Sequence, residues 1–158
     1  MKTVYVMGSK WFIRIKKGKN YSYLIPVAPI DEVPVCRINS EVNRWYLDTF
    51  FHEEKCHIKE AFILSEFEVF GSWIWGKEDN NPPRKPFNFF RSRENRAKYL
   101  ANSWLRTPYY NDSDYFCSVD NDGNAGSSYA SDAFGIVPVI KIETEYLEKK
   151  VLRKKGEI

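Results

Sequence analysis

The sequence predicts an α+β fold: a twisted antiparallel sheet with two or three short helices and long loops. It assigns residues 1–142 to one domain and 143–158 to a charged helical extension. Three observations lead there. Strand-like alternation opens and closes the chain, helical spacing occupies its middle, and clusters of Gly, Pro, Asn and Ser separate these stretches. A length of 158 residues fits one core, since domains usually run to about 100–200 residues. Aromatics at 16% supply enough large apolar surface to offset chain entropy.

The elements follow in order. Thr3 to Met7 is β-rich, Trp11 to Ile15 alternates large apolar with basic residues, and Lys17-Gly18-Lys19-Asn20 turns the chain into Tyr21 to Ile25, a β-hairpin. Pro26, Pro29 and Pro34 then keep the backbone extended, because each removes a donor and biases its predecessor away from helix. Asn39-Ser40 caps a helix with Val42, Trp45, Tyr46 and Phe50 on one face. After the strand-like Phe62-Ile63-Leu64, Ser65 and Glu68 form a capping box for a short helix, Glu66 to Phe70. Residues 71–90 read as a long surface loop with Asn80-Asn81-Pro82-Pro83 at its tip. Ser92 caps a third helix to about Asn102, with Ala97 and Leu100 inward and Arg93, Arg96 and Lys98 outward. Trp104 to Arg106, Tyr115 to Val119 and Ile136 to Ile142 read as strands, and Glu143 to Glu157 as a helix docking through Tyr146, Leu147 and Val151.

Charge excludes little. The +3 balance of 24 basic against 21 acidic residues is far from that of a dedicated phosphate-backbone binder. The excess gathers at Arg84–Lys98 and Lys149–Lys155, a pattern usual for solvated surface. Three widely spaced cysteines, Cys36, Cys56 and Cys117, point to a reducing compartment, with no signal-like start and no apolar run long enough to span a membrane.

Arg106 is a candidate ligand-binding residue, an always-charged forked donor for carboxylate or phosphate; alternatively Trp104 fills the core and Arg106 pairs with a nearby carboxylate. Tyr109, Tyr110, Asp112, Asp114 and Tyr115, with Asn121, Asp122, Asn124 and Tyr129, have the composition of an adaptable binding face. The same residue types also build turns. Asp120-Asn121-Asp122-Gly123-Asn124 opens like a calcium loop, but Ser131 stands where a bidentate Glu is needed, so a β-turn closing a hairpin is preferred. His52, Glu53, Cys56 and His57 cluster without a second ligand pair elsewhere, and no metal is expected. No phosphate-loop or nucleophile motif occurs, and neither a catalytic residue nor a cofactor is expected. Phe87, Phe89 and Phe90 interleave with Arg91, Arg93 and Arg96, a mixture suited to nucleic acid or to pinning a loop onto the core.

Five motifs in order carry a family resemblance. Trp45-x-Leu47-x-x-Phe50, Phe62-Ile63-Leu64-Ser65-x-x-Glu68, Trp104-Leu105-Arg106-Thr107-Pro108, Asp122-Gly123 and Gly135-Ile136-Val137-Pro138-Val139-Ile140 resemble the bacterial and phage family called domain of unknown function 6273, over about residues 11–142. Val137 stands where that family usually has Arg, which removes a cation. The resemblance implies a C-type-lectin-like fold of the formylglycine-generating and retroelement variable-protein kind, a scaffold holding a variable loop face. A formylglycine-type oxidase would need paired cysteines, and Cys117 stands alone. The expected function is a non-enzymatic binding module of phage or bacterial origin recognising a protein or glycan. The alternative is a small phage-encoded inhibitor of a host defence system acting by protein–protein binding. A hydrolase or nuclease using His57 ranks last. Expected locations are the bacterial cytoplasm or a virion, with no membrane partner.

Overall fold

Alternation and capping place most elements where the residues ask for them. The structure, a computed structural model, describes residues 3–78 and 84–155. In chain order it contains β1 (Thr3–Met7), β2 (Lys10–Lys17), β3 (Tyr21–Pro26), β4 (Glu32–Val33), α1 (Ile38–Thr49), α2 (His52–Lys55), β5 (Ile58–Ile63), α3 (Glu66–Phe70), α4 (Arg93–Leu100), β6 (Ser103–Pro108), β7 (Tyr115–Val119), β8 (Ala125–Tyr129), β9 (Phe134–Gly135), β10 (Pro138–Glu143), α5 (Thr144–Lys150) and β11 (Leu152–Lys155). The fold is α+β, but its strands form two sheets rather than one: a six-stranded sheet in the order β11-β1-β2-β3-β10-β5 and a five-stranded sheet in the order β4-β9-β6-β7-β8. All pairings detailed below are antiparallel except β6 with β9, which run parallel.

Two compact units share the chain. The first comprises Met1–Val27, Ser40–Phe62 and Pro138–Ile158; the second comprises Ala28–Asn39 and Ile63–Val137. In the first unit Tyr5 and Phe12 are cross-strand partners, and both enter a core with Leu24, Phe50, Ile140, Ile142 and Leu147. Trp45 and Tyr46 of α1 pack against that core, so the tryptophan-bearing helix and β10 share one interior. Phe50 touches the rings of Phe12, Trp45 and Tyr46 at centroid distances of 5.5, 5.3 and 5.6 Å, which makes it the hub of the cluster. Gly8 turns β1 into β2 with φ 60°, and a Cβ there would press into the Thr49 carbonyl oxygen, so only glycine lets this turn meet the end of α1.

In the second unit Trp104 is buried, and its indole N–H donates to the Val33 carbonyl at 2.7 Å. Its ring lies 4.8 Å from that of Phe134, and Leu105, Phe87, Phe90, Tyr99 and Ile136 are buried in the same unit. The Ser65–Glu68 capping box forms as the sequence predicts: Ser65 Oγ accepts from the Glu68 amide at 3.1 Å, and the Glu68 carboxylate accepts from the Ser65 amide at 2.9 Å.

Several boundaries differ from expectation. Helix α1 begins at Ile38, following a 3-10 turn over Val35–Arg37, so Asn39 and Ser40 lie inside it. Helix α4 stops at Leu100 because Asn102 takes a left-handed φ of 56° before β6. Strand β10 starts at Pro138 rather than Ile136, and β5 spans Ile58–Ile63. The C-terminal segment is helical only to Lys150; Val151 turns extended and Leu152–Lys155 pairs with β1, occupying backbone groups that edge would otherwise leave unpaired. Tyr146, Leu147 and Val151 are buried in the first unit's core, as their spacing predicts. Arg96 is not outward-facing: its guanidinium donates to the Gly123, Phe90 and Arg91 carbonyls. The predicted loop tip Asn80–Pro83 lies outside the described residues.

Candidate functional site

Two buried carboxylates build the frame of the most exposed aromatic surface in the second unit. Glu66 and Glu68 on α3 are both 0% exposed. A buried charge is tolerated only when its lone pairs are met. Glu68 Oε1 accepts from Arg106 Nη1 at 2.6 Å, its Oε2 accepts from Arg106 Nη2 at 3.3 Å, and Oε2 also accepts from the Arg84 amide at 3.1 Å. Burial pushes the Glu68 carboxyl up, but the Arg106 hydrogen bonds and the Ser65 amide outweigh it and leave the pKa below its ordinary value. Arg106 Nη1 further donates to the Ile63 carbonyl at 2.9 Å. The structure thus commits Arg106 to a bidentate pair with Glu68, the second of the two roles open to it in the sequence.

Glu66 serves a loop. Its Oε1 accepts from the amides of Ile74 at 2.7 Å and Gly76 at 2.9 Å, and Oε2 from the Trp75 amide at 3.0 Å. Three successive amides closing on one carboxylate form an anion cradle that the chain fills itself. Residue 76 must be glycine here, because a Cβ would meet Thr107 Cγ2, Glu66 Oε1 and Cys117 Sγ. The loop is then strapped to the end of β6: Gly76 bridges Tyr109, the Tyr110 amide donates to the Trp75 carbonyl at 2.9 Å, and the Lys77 amide donates to the Pro108 carbonyl at 3.0 Å.

These bonds hold Trp75 beside the tyrosines. Trp75 and Tyr109 stack at 6.5 Å between ring centroids; Tyr109 lies 4.9 Å from Tyr110 and 5.9 Å from Tyr115, and Tyr115 lies 4.3 Å from Tyr129. Trp75 is 42%, Tyr110 58% and Tyr129 51% exposed. Tyr115 and Tyr129 are direct cross-strand partners. The Tyr115 hydroxyl is pushed up to about 12 by its hydrogen bond with Tyr129, then by burial and the carboxylates of Asp112 and Asp114. Tyr109 is raised by burial first, then by Tyr110 and Asp112.

The structure therefore assembles Tyr109, Tyr110, Asp112, Asp114, Tyr115 and Tyr129 into one face and adds Trp75, which no local signal within residues 71–90 singles out. Asn121, Asp122 and Asn124 do not join it. They form the turn at the other end of the β7–β8 hairpin, where Asp120 Oδ1 accepts from the Asp122 and Asn124 amides, each at 2.9 Å. Four residues separate the hairpin's ends, about 13 Å at strand rise. Gly123 carries φ 83° in that turn, and a Cβ would collide with the backbone of α4 at Arg93 and Ala97. Tyr129 stands on a strand, not in a loop, since Ala125–Tyr129 pairs along its length with β7.

Other candidates have separate settings. In the first unit a cleft of about 230 Å³ is lined by Glu53, His57, Glu143, Glu145, Tyr146, Lys149 and Lys150. His57 stacks on Tyr146 with centroids 4.0 Å apart, and its Nδ1 lies 3.0 Å from Glu143 Oε1. Cys56 Sγ donates to the His52 carbonyl, and among the described residues no three His, Cys, Asp or Glu side chains converge as a metal site. Phe87 and Phe90 are buried and in edge contact, so neither offers a free face for a base. No helix among the described residues is long and apolar enough to cross a membrane.

Cys117 is buried under the aromatic face, and burial followed by the Glu66 carboxylate beside it pushes its thiol far up. Cys36 and Cys56 are exposed. Thiol titration of the native protein is expected to count these two, with Cys117 reacting only after denaturation. A third fast thiol in native protein would contradict this packing.

No curated protein and no solved structure matches the chain. The family model described as domain of unknown function (DUF6273) matches residues 31–144, a span holding both buried carboxylates, Arg106 and the whole aromatic face. With well over half of its 158 residues inside that match, the chain belongs to the DUF6273 family.

Proposed function

We propose that this chain is a non-enzymatic binding module of bacterial or phage origin that recognises a protein or a glycan through the aromatic face of its second unit, on a C-type-lectin-like scaffold. The observation carrying this reading is the unbroken row Trp75, Tyr109, Tyr110, Tyr115 and Tyr129, half-buried to exposed and in mutual ring contact. Single exposed aromatics need no explanation, whereas contiguous ones mark interaction surfaces. Backbone bonds at Trp75 and Tyr110 fix the main chain that carries these rings, so little backbone freedom is left to lose on binding. The five sequence motifs, and a frame of strands holding connecting segments, support the lectin-like assignment.

Combined Trp75→Ala, Tyr110→Ala and Tyr129→Ala substitutions remove exposed ring surface. They should leave stability nearly unchanged, since exposed changes usually stay within about ±0.5 kcal/mol each. Affinity for a ligand selected on a glycan array or from a protein library should fall at least about tenfold, the scale of one lost hot spot. Binding that survives the triple substitution ends this reading.

A further inference from the structure

The aromatic row ends on β8, and β8 is the outer strand of its sheet. The Ala130 amide donates to the Asp114 carbonyl at 2.8 Å, and the Asp120 amide donates to the Asn124 carbonyl at 2.9 Å. With Phe116 opposite Ser128 and Ser118 opposite Gly126, the even-numbered residues of the hairpin exchange the ladder hydrogen bonds. Ala125, Ser127 and Tyr129 therefore aim their backbone groups away from β7. The Tyr129 carbonyl accepts from the Asp132 amide at 2.9 Å. The outward amides of Ala125, Ser127 and Tyr129 have no protein acceptor among the described residues. Devices that normally blunt an edge are missing from Ala125–Tyr129, which has no Pro, no Lys and no break in register.

Charge selects the occupant. Asp112, Asp114 and Asp132 are exposed around the Tyr129 end of this edge. The basic residues placed near it among the described residues are Lys77 on the neighbouring strap and Arg37, two residues past the Val35 amide that donates to the Ala130 carbonyl, which leaves three carboxylates against two cations. The Asp112 and Asp114 carboxylates act on the Tyr115 hydroxyl, so they stand close enough to colour the face. Rings beneath such carboxylates attract a cation by its charge and by the ring quadrupole. Two copies of this chain meeting edge to edge would instead oppose like charges. A glycan would use the rings and leave the alternate amides idle.

We propose that β8 accepts an extended, cationic segment of a partner protein as a sixth strand of this sheet, with arginine or lysine side chains laid over the tyrosines. This rests on the aromatic face being a binding face. The probe is a fluorescein-labelled decapeptide of alternating arginine and valine, with two controls: glutamate in place of arginine, and N-methylation of alternate amides. Fluorescence anisotropy is expected to show binding of the arginine peptide and at least tenfold weaker binding of either control. The Ser127→Pro variant should also bind at least tenfold more weakly. Proline is tolerated on an edge whose N–H leaves the ladder, so the variant should fold, and the N-methylated peptide repeats the test on unaltered protein. On binding, amide exchange should slow at Ser127 and Tyr129, while Gly126 and Ser128 stay protected throughout.

No binding of the arginine peptide overturns the proposal, and so does equal binding by Ser127→Pro with unchanged exchange. If Ser127→Pro binds normally while the Trp75, Tyr110 and Tyr129 triple variant does not, strand addition fails and the aromatic face stands. If both variants bind normally, both readings fail. A concentration-dependent dimer abolished by Ser127→Pro would assign the edge to a second copy and overturn the cationic occupant.

Discussion

Arg106→Ala is expected to cost about 3–5 kcal/mol of folding stability, the range for removing one partner from a buried ion pair. The cost comes from what remains. Glu68 is 0% exposed, and without the Arg106 guanidinium it keeps the Ser65 and Arg84 amides but loses its two closest charged donors, with Arg84 Nη1 at 3.5 Å as the countercharge that remains. Glu68→Gln should cost less, because the amide form needs no countercharge. Denaturant unfolding measures both, and an Arg106→Ala loss below about 1 kcal/mol would mean that the pair is a solvated surface contact. The pH dependence has a fixed sign. Since the folded state holds the Glu68 carboxyl below its ordinary value, its contribution is complete above the unfolded carboxylate pKa, about 4.3, and disappears as pH falls through the folded value. Arg106→Ala should flatten that acid limb.

Glu66→Ala is expected to cost about 3–9 kcal/mol if the loop stays in place, from about 1–3 for each of the three amides left without an acceptor. Release of Ile74–Gly76 into solvent would lower that cost and transfer the damage to the aromatic face, because Trp75 is positioned through its own amide. The two routes separate experimentally. A large drop in melting temperature marks the first, whereas a modest drop with altered Trp75 fluorescence and weakened ligand binding marks the second. Glu66→Gln should fall between wild type and Glu66→Ala, because its side-chain NH₂ would confront one of the three donors. A Glu66→Ala protein with native stability and unchanged binding would remove the carboxylate from its place in the frame.

The contrast between these carboxylates and the rest of the chain explains what the sequence made legible. Ser65 and Glu68 announce a capping box by spacing alone, and the box is there. Tyr115 to Val119 announces a strand by its β-rich content, and Tyr146, Leu147 and Val151 announce a buried stripe. Tertiary partners were less visible. Two Glu residues inside Leu64-Ser65-Glu66-Phe67-Glu68-Val69-Phe70 are a signal in themselves, because a carboxylate in an apolar run must find donors. Nothing local, however, names Trp75 or Arg106 as the recipient. The Asp122-Gly123 turn announces a hairpin, and it is there; its second strand, Ala125–Tyr129, has no strand signal of its own because Ala, Gly and Ser carry weak strand preference, which pairing with β7 outweighs. Helical phase points Arg96 outward, and the backbone carbonyls that capture it come from segments on either side of α4. The split of the tyrosine-rich stretch is likewise a matter of register: a hairpin sends residues near in sequence to opposite ends.

The pairing of Thr3 with Lys155 sets an order of events during synthesis. One sheet joins almost the first and almost the last of these residues, so its closing strand does not exist until translation has passed Lys155. Pairing across so long a separation also carries a high loop-closure entropy, which slows the step. Most of the second unit is made earlier as one uninterrupted stretch, Ile63–Val137, and can collapse while the ribosome is still adding residues. Until Leu152–Lys155 is made, the outer edge of β1 waits uncovered, and that interval is when the nascent chain is most open to pairing with a neighbour.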